Sequence, residues 1–509
     1  MKIKRSTGLL LHITSLPGKY GIGTLGREAY DFVDLLREGG QKYWQILPVS
    51  PVSPVLNYCP YSSISSFAGN PIFINLEILQ QKGWLRDDIL STLHVEFNNN
   101  FIDFTKVFSQ KMKLLTMSFE NFKRYSDKGV RESFNGFCKD HKHWLNDYAL
   151  FSAISIYNNN YNWLNWDKEI CFRNPKAIKK WEEKLQGEIE FQKFLQFIFF
   201  DQWKELKKYA NENGVRIIGD LPIYVSFDSA DTWSNPNIFQ LDKSTCKPIA
   251  VSGVPPDYFS KTGQMWGNPL YDWFENGDLK RETLTWWVKR FKHILDIVDI
   301  VRIDHFRGFE SYWSIPAKEK NAVKGEWMKG PGIKFFKGLK DKLGDLPLIA
   351  EDLGNITCGV EQLRDDLNLP GMKILQFAFD FDKKNQYLPH NFRTTNCVVY
   401  TGTHDNNTTN GWFYGSEIDE NTREYIIEYL GADNRDEFHW KLIRIAMSSI
   451  ADLTILPVQD ILGYGEEFRM NNPASSVNNW IWKLTPERFN KHVIKKLKKM
   501  CQLYNRAYP

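Results

Sequence analysis

The chain has 509 residues, 42% of them hydrophobic, which is ample for a large core. Its 65 Lys and Arg against 61 Asp and Glu leave a net charge of +4, too small an excess to argue for nucleic acid or an anionic membrane as partner. Seven scattered cysteines with no Cys-x-x-Cys pair point to a reducing, cytoplasmic compartment and away from a structural zinc site.

The N-terminal run has an apolar core of only 8–13 or so and no convincing small-x-small site, so it reads as a first buried strand rather than a signal peptide. No stretch approaches the roughly 18 apolar residues that span a membrane. Short apolar runs ending in polar, Gly or Pro residues then recur at 8–17, 42–50, 215–225, 299–309, 346–354, 371–379, 396–405 and 451–462. Continuous apolar runs of this length suit parallel strands buried on both faces. Amphipathic helical stretches separate several of them. One is Gly187 to Asn213, with Phe191, Phe194, Leu195 and Ile198 at helical spacing and Gly214 as its stop. Eight strands with helical crossovers predict an α/β fold, a (β/α)8 TIM barrel, over an open doubly wound sheet.

Spacing adds two insertions, both expected to be helical. The chain between the second and third runs is far longer than one crossover needs, so about 80–190 reads as an inserted subdomain. A second insertion, about 226–287, lies between the third and fourth strands. Both leave from C-terminal strand ends, and so overhang the face where barrel active sites sit. Residues 1–509 otherwise form one catalytic barrel unit. Gly21-Ile22-Gly23-Thr24-Leu25-Gly26 matches a dinucleotide-binding pattern only by letter, because it follows a Pro17-Gly18 loop instead of a tight strand end. At the C-terminus, Thr485 and Pro486 read as the N-cap and first position of a closing helix.

Acids concentrate at the strand ends: Asp220 after the third, Asp304 after the fourth, Glu351 and Asp352 after the fifth, His404-Asp405 after the seventh. One such acid is most often a structural cap. Several converging on one rim are costly and persist where chemistry needs them. Arg302 and Asp304 are two apart on a strand, so both face one side, and the guanidinium favours an ionised Asp304. An ordinary Arg–Asp brace would share that spacing. Glu351 leaves an apolar strand among other acids. Burial and like charge both raise its pKa, as a general acid requires. The same acids could alternatively hold a divalent metal, and residues alone leave that open. The high aromatic content, 15% with 18 Trp, fits either core packing or sugar-stacking surfaces.

The motifs GDLPIYVSFDSADTW (219–233), SGVPPDYFSKTGQMWGNPLYDW (252–273), VRIDHFRGF (301–309), IAEDLG (349–354) and YTGTHDNNT (400–408) resemble those of amylomaltases and disproportionating enzymes. These form glycoside hydrolase family 77 of the α-amylase clan. The similar segments run from Leu11 to Trp482. The resemblance implies a 4-α-glucanotransferase that moves α-1,4-glucan segments between maltooligosaccharides by retaining double displacement. It implies Asp304 as nucleophile, Glu351 as acid/base and Asp405 as transition-state stabiliser, with carboxyls of the first two about 5–5.5 Å apart. It further implies that Tyr61, Asp220, Arg302 and His404 line the donor subsite. Tyr258, Trp266 and Asn268, in a loop over the acceptor side, are expected sugar contacts. No cofactor and no essential metal are implied, and the oligomeric state, monomer or dimer, is left open. Cys59 before Pro60-Tyr61, Ala474-Ser475 after Pro473, and Lys483 after the Asn-Trp-x-Trp motif depart from the family pattern. They bear on subsite geometry, not on the three acids.

Overall fold

Each barrel strand is a short stack of aliphatic residues with nearly every side chain buried. In the computed structural model, which describes residues 3–91, 97–256 and 260–507, eight parallel strands appear where the eight apolar runs predicted them. They are β1 (Ser6–Leu10), β2 (Tyr43–Gln45), β3 (Arg216–Leu221), β4 (Ile300–Ile303), β5 (Leu348–Ala350), β6 (Gly371–Ile374), β7 (Cys397–Tyr400) and β8 (Leu453–Pro457). Each strand from β1 to β4 pairs with the next in the chain, β1 also pairs with β8, and β8 leads through β7 to β6. The seam between β5 and β6 is bridged by the Ala350 N–H, which donates to the Pro370 carbonyl at 3.0 Å. The sheet thus closes into a (β/α)8 barrel. Close packing of β1 on β2 requires Gly8, where a Cβ would meet the Tyr43 backbone oxygen at 2.5 Å.

The crossover into β3 is a 27-residue helix, Gln186–Glu212, and Gly214 ends it in the left-handed region at φ 73°. Phe191, Phe194, Leu195 and Ile198 are all buried on it, as their spacing predicted. Two buried glutamines fasten this helix to the chain after β2. The Gln196 amide bonds both N and O of Gly69 (2.7 and 2.9 Å), and Gln202 does the same at Asn75 (2.7 and 3.1 Å). Each side chain completes a backbone pair that no strand supplies. Helices Phe104–Tyr125, Lys128–Asp140, Lys142–Tyr157 and Pro175–Lys184 precede it between β2 and β3, with Phe119, Phe122, Phe134 and Phe194 in ring contact among them.

The chain between β3 and β4 departs from the helical expectation. After a five-residue helix, Ala230–Ser234, it carries strands Ala250–Val254 and Gln264–Pro269. These join Ser311–Pro316 and Glu326–Lys329, which follow β4, in a four-stranded antiparallel sheet. A sheet assembled from both sides of β4 leaves no local helical period to read. The C-terminal helix is also shifted. It spans Lys491–Leu503 and is capped by Asn490, whose side chain accepts from the backbone N–H groups of His492 and Val493. Thr485 does not cap it, because its hydroxyl is bonded to the Asn100 side chain at 2.8 Å. The glycine-rich turn after β1 holds an acid, not a phosphate cradle: Glu28 accepts from the Thr24 N–H at 2.9 Å and from its hydroxyl.

Candidate active site

Register places the centre of the site. Asp220 on β3 lies opposite Arg302 on β4, so both side chains leave the same face of the sheet. Arg302 Nη1 donates to Asp220 Oδ2 at 2.6 Å and to Asp304 Oδ1 at 3.2 Å, so one guanidinium bridges two carboxylates. Tyr61, on the loop after β2, donates its hydroxyl to the same Asp220 oxygen at 2.7 Å.

Beyond Asp304 the chain turns sharply. His305 sits in the left-handed region, φ 51° and ψ 50°, an uncommon conformation for a residue with a Cβ. That turn aims its backbone N–H at Glu351 Oε2, 2.6 Å away, while the Leu353 N–H donates to Oε1 at 3.0 Å. The Glu351 carboxyl is therefore gripped on both oxygens by backbone. Burial pushes its pKa up to about 8, with the Asp304 charge adding to the rise and Arg302 and the two N–H donors opposing it. Asp304 differs from the expectation drawn from its arginine. Enclosure outweighs Arg302, and with Asp220 and Asp405 nearby the carboxyl is pushed up to about 6.

Asp405 goes the other way. Enclosure by the cleft works against its charge, but His404 and the Asn471 amide hold it down to about 2. His404 Nε2 is 3.2 Å from Asp405 Oδ2, and Asn471 Nδ2 donates to Oδ1 at 2.6 Å. Arg469 donates to the Asp405 carbonyl at 2.7 Å. Asp352, by contrast, is a structural cap: it takes the Arg364 guanidinium at 2.6 Å and the Met372 N–H at 2.7 Å.

The structure therefore brings together Asp220, Arg302, Asp304, Glu351, His404, Asp405 and Tyr61. Trp266 joins them from the antiparallel sheet. Its ring stands edge-on to His305, with centroids 4.9 Å apart, and tilted to Tyr224 at 6.2 Å. Asn268 lies two residues further along the same strand. Tyr258 falls outside the described residues. Asn471, Arg469 and the His305 backbone went unnoticed in the sequence. Asn471 is separated from Asp405 by a whole βα unit, and nothing in the sequence marks a backbone N–H as a site group. Among the described residues, no group of three His, Cys, Asp or Glu side chains is arranged to hold a metal ion.

A (β/α)8 barrel with carboxyls at the ends of β4, β5 and β7, an Arg-bridged acid pair and a tyrosine beside them defines a carbohydrate-active barrel enzyme. The signature of the family described as 4-alpha-glucanotransferase, glycoside hydrolase family 77, matches residues 11–489, and the chain belongs to that family. It is 47% identical over 504 residues to a 4-alpha-glucanotransferase of Synechocystis sp., with 99% of this chain and 98% of the relative covered. It is 46% identical over 497 residues to one of Clostridium butyricum, covering 98% and 100%. The amylomaltase of Streptococcus agalactiae, solved in complex with acarbose, superposes with a TM-score of 0.94 at 37% identity, over 99% of this chain and 100% of that one.

Proposed function

We infer that this chain is a 4-alpha-glucanotransferase that acts on maltooligosaccharides and longer α-1,4-glucans by retaining double displacement. Asp304 attacks the anomeric carbon while Glu351 gives its proton to the departing 4-oxygen. The glycosidic bond breaks and a glycosyl ester forms on Asp304. The 4-hydroxyl of an acceptor glucan then returns a proton to Glu351 and attacks the same carbon, and Asp304 leaves as carboxylate. Asp405, held ionised by His404 and Asn471, faces the positive charge that develops on the sugar ring. Tyr61 offers its ring to the reacting sugar, and Arg302 with Asp220 fixes the floor beneath it.

The observation that carries this is the bond from the His305 N–H to Glu351 Oε2. It ties the acid/base to the residue directly after the nucleophile, so both groups are set by one turn of chain. Trp266, Asn268 and Tyr258 hold the acceptor. The 226–287 segment serves as the lid, and about 80–190 as the wall beside it. A lid that seats a sugar acceptor while excluding water favours transfer over hydrolysis. Seven free cysteines support a reducing, cytoplasmic location. No helix among the described residues is long and apolar enough to cross a membrane.

Incubation with maltotriose alone, after chelator treatment, tests the assignment. Glucose plus longer and shorter oligosaccharides at constant reducing ends is the expected result. Rising reducing ends without longer products would make the enzyme a hydrolase. Activity restored only by a divalent ion would return the strand-end acids to metal ligation.

A further inference from the structure

His12, just beyond β1, meets the site from a side that the mechanism above does not use. Its side chain is 4% exposed and stands edge-on to buried Phe73, centroids 5.5 Å apart at 77°. The backbone beside it is fixed by Trp44, whose Nε1–H donates to the Leu11 carbonyl at 2.7 Å. His12 and His404 line one cavity, together with Thr403, Asn407, Asp460 and Trp482. Each imidazole carries a buried Nδ1 with no hydrogen-bond partner. On its other nitrogen, His404 meets Asp405 Oδ2 at 3.2 Å. In the neutral ring a carboxylate oxygen there calls for hydrogen on Nε2, which leaves a lone pair on the buried Nδ1.

We propose that His12 is a positioning residue for glucan transfer: across this cavity it holds His404 in the tautomer with hydrogen on Nε2, and so keeps a donor on Asp405. The proposal rests on the roles given above to His404 and Asp405. A neutral imidazole suits the task because one nitrogen can satisfy the Nδ1 lone pair through a bound water without adding charge. Burial, with His404 adding to it, pushes the His12 pKa down to about 3, so the ring stays uncharged. The charged groups round the pair leave this arrangement intact. Asp405 lies on the Nε2 edge of His404, and Asp304 is near enough to feel the same imidazole. The Asp460 carboxylate is occupied by the Thr401 hydroxyl at 2.5 Å and the Thr409 N–H at 2.6 Å. An acid in place of His12 would instead draw hydrogen onto Nδ1.

The test is the side-chain ¹⁵N spectrum of the histidines, of which the chain has ten, with His404 assigned through His404→Gln. The wild-type enzyme should show His404 with a protonated Nε2 and a bare Nδ1. In His12→Leu that split should be lost, kcat/KM on maltotriose should fall about 10- to 100-fold, and the acid limb of the pH profile should move. His12→Asn, which keeps a donor in the cavity, should restore the His404 signals and most of the activity. A folded His12→Leu enzyme with wild-type His404 signals and pH profile would overturn the proposal. So would a folded His12→Asn enzyme that behaves like an apolar substitution. Full activity in Asp405→Asn would instead remove the role assigned to Asp405, while the spectra still decide the tautomer.

Discussion

Tyr61 lies face to face with His404, ring centroids 5.1 Å apart and planes 13° apart. The pair joins two carboxylates that never touch. The tyrosine hydroxyl is bonded to Asp220 and the imidazole to Asp405. Tyr61→Phe keeps the stack but drops the Asp220 bond, and should lower kcat/KM on maltotriose about tenfold. Tyr61→Ala removes the stack as well and should fall further, with KM rising in addition. Equal losses in the two variants would show that the ring itself contributes nothing.

The two central carboxyls should separate by leaving group. Glu351→Ala should lose about 10²- to 10⁴-fold on maltotriose, but keep cleavage of an α-maltosyl fluoride, because fluoride departs without a proton. Asp304→Ala should be silent on both donors. Mass spectrometry of the Glu351→Ala protein with the fluoride should find a glycosyl ester on Asp304.

The pH–rate curve should be a bell. Transfer needs Asp304 ionised, so activity rises as pH passes about 6, and Glu351 protonated, so activity falls beyond about 8. Both values belong to the interacting pair rather than to either group alone. With an α-maltosyl fluoride donor under conditions where glycosylation limits turnover, the alkaline limb should disappear and the acid limb should stay.

Trp266→Ala should weaken acceptor capture while leaving the three carboxyls in place. The ring stands edge-on to His305. The ratio of new reducing ends to transfer products should rise in a maltotriose assay. An unchanged ratio would place acceptor selection elsewhere.

Lys111 gives a stability prediction away from the site. It is 2% exposed, its Nζ bonds the Ile72 carbonyl, and burial lowers its pKa to about 7, with Glu28 opposing. The unfolded chain binds this proton more tightly, so stability should rise with pH from about 7 towards the usual lysine range, and the full cost is present below it. Lys111→Met should flatten that slope. Denaturant unfolding at several pH values measures it.

Much of this was legible in the chain. All eight barrel strands were readable because a strand buried on both faces is a run of aliphatic residues, and such a run looks alike in sequence and structure. Asp220, Arg302, Asp304, Glu351 and Asp405 were readable because each breaks an apolar run at its end. The antiparallel sheet was not readable. Ala250–Val254 and Glu326–Lys329 share it only because β4 lies between them in the chain, and Gln264–Pro269 is exposed along most of its length. Asn471 escaped for a similar reason: its bond to Asp405 depends on a loop path, not on a period. The rise of Asp304 to about 6 escaped too, because neighbour identity shows the arginine but not the depth of enclosure.

The antiparallel sheet has one more consequence. Two of its strands precede β4, with the helix Arg281–Ile297 between, and two follow it, so the sheet closes a loop of chain around that strand, like a bucket handle fixed at both rivets. A flap on one hinge can swing without disturbing what lies beneath it. This one is joined by the chain to both sides of the segment that carries Arg302, Asp304 and His305, and its Trp266 meets the His305 ring. Grip on an incoming sugar chain is thereby mechanically in series with the turn that seats Glu351.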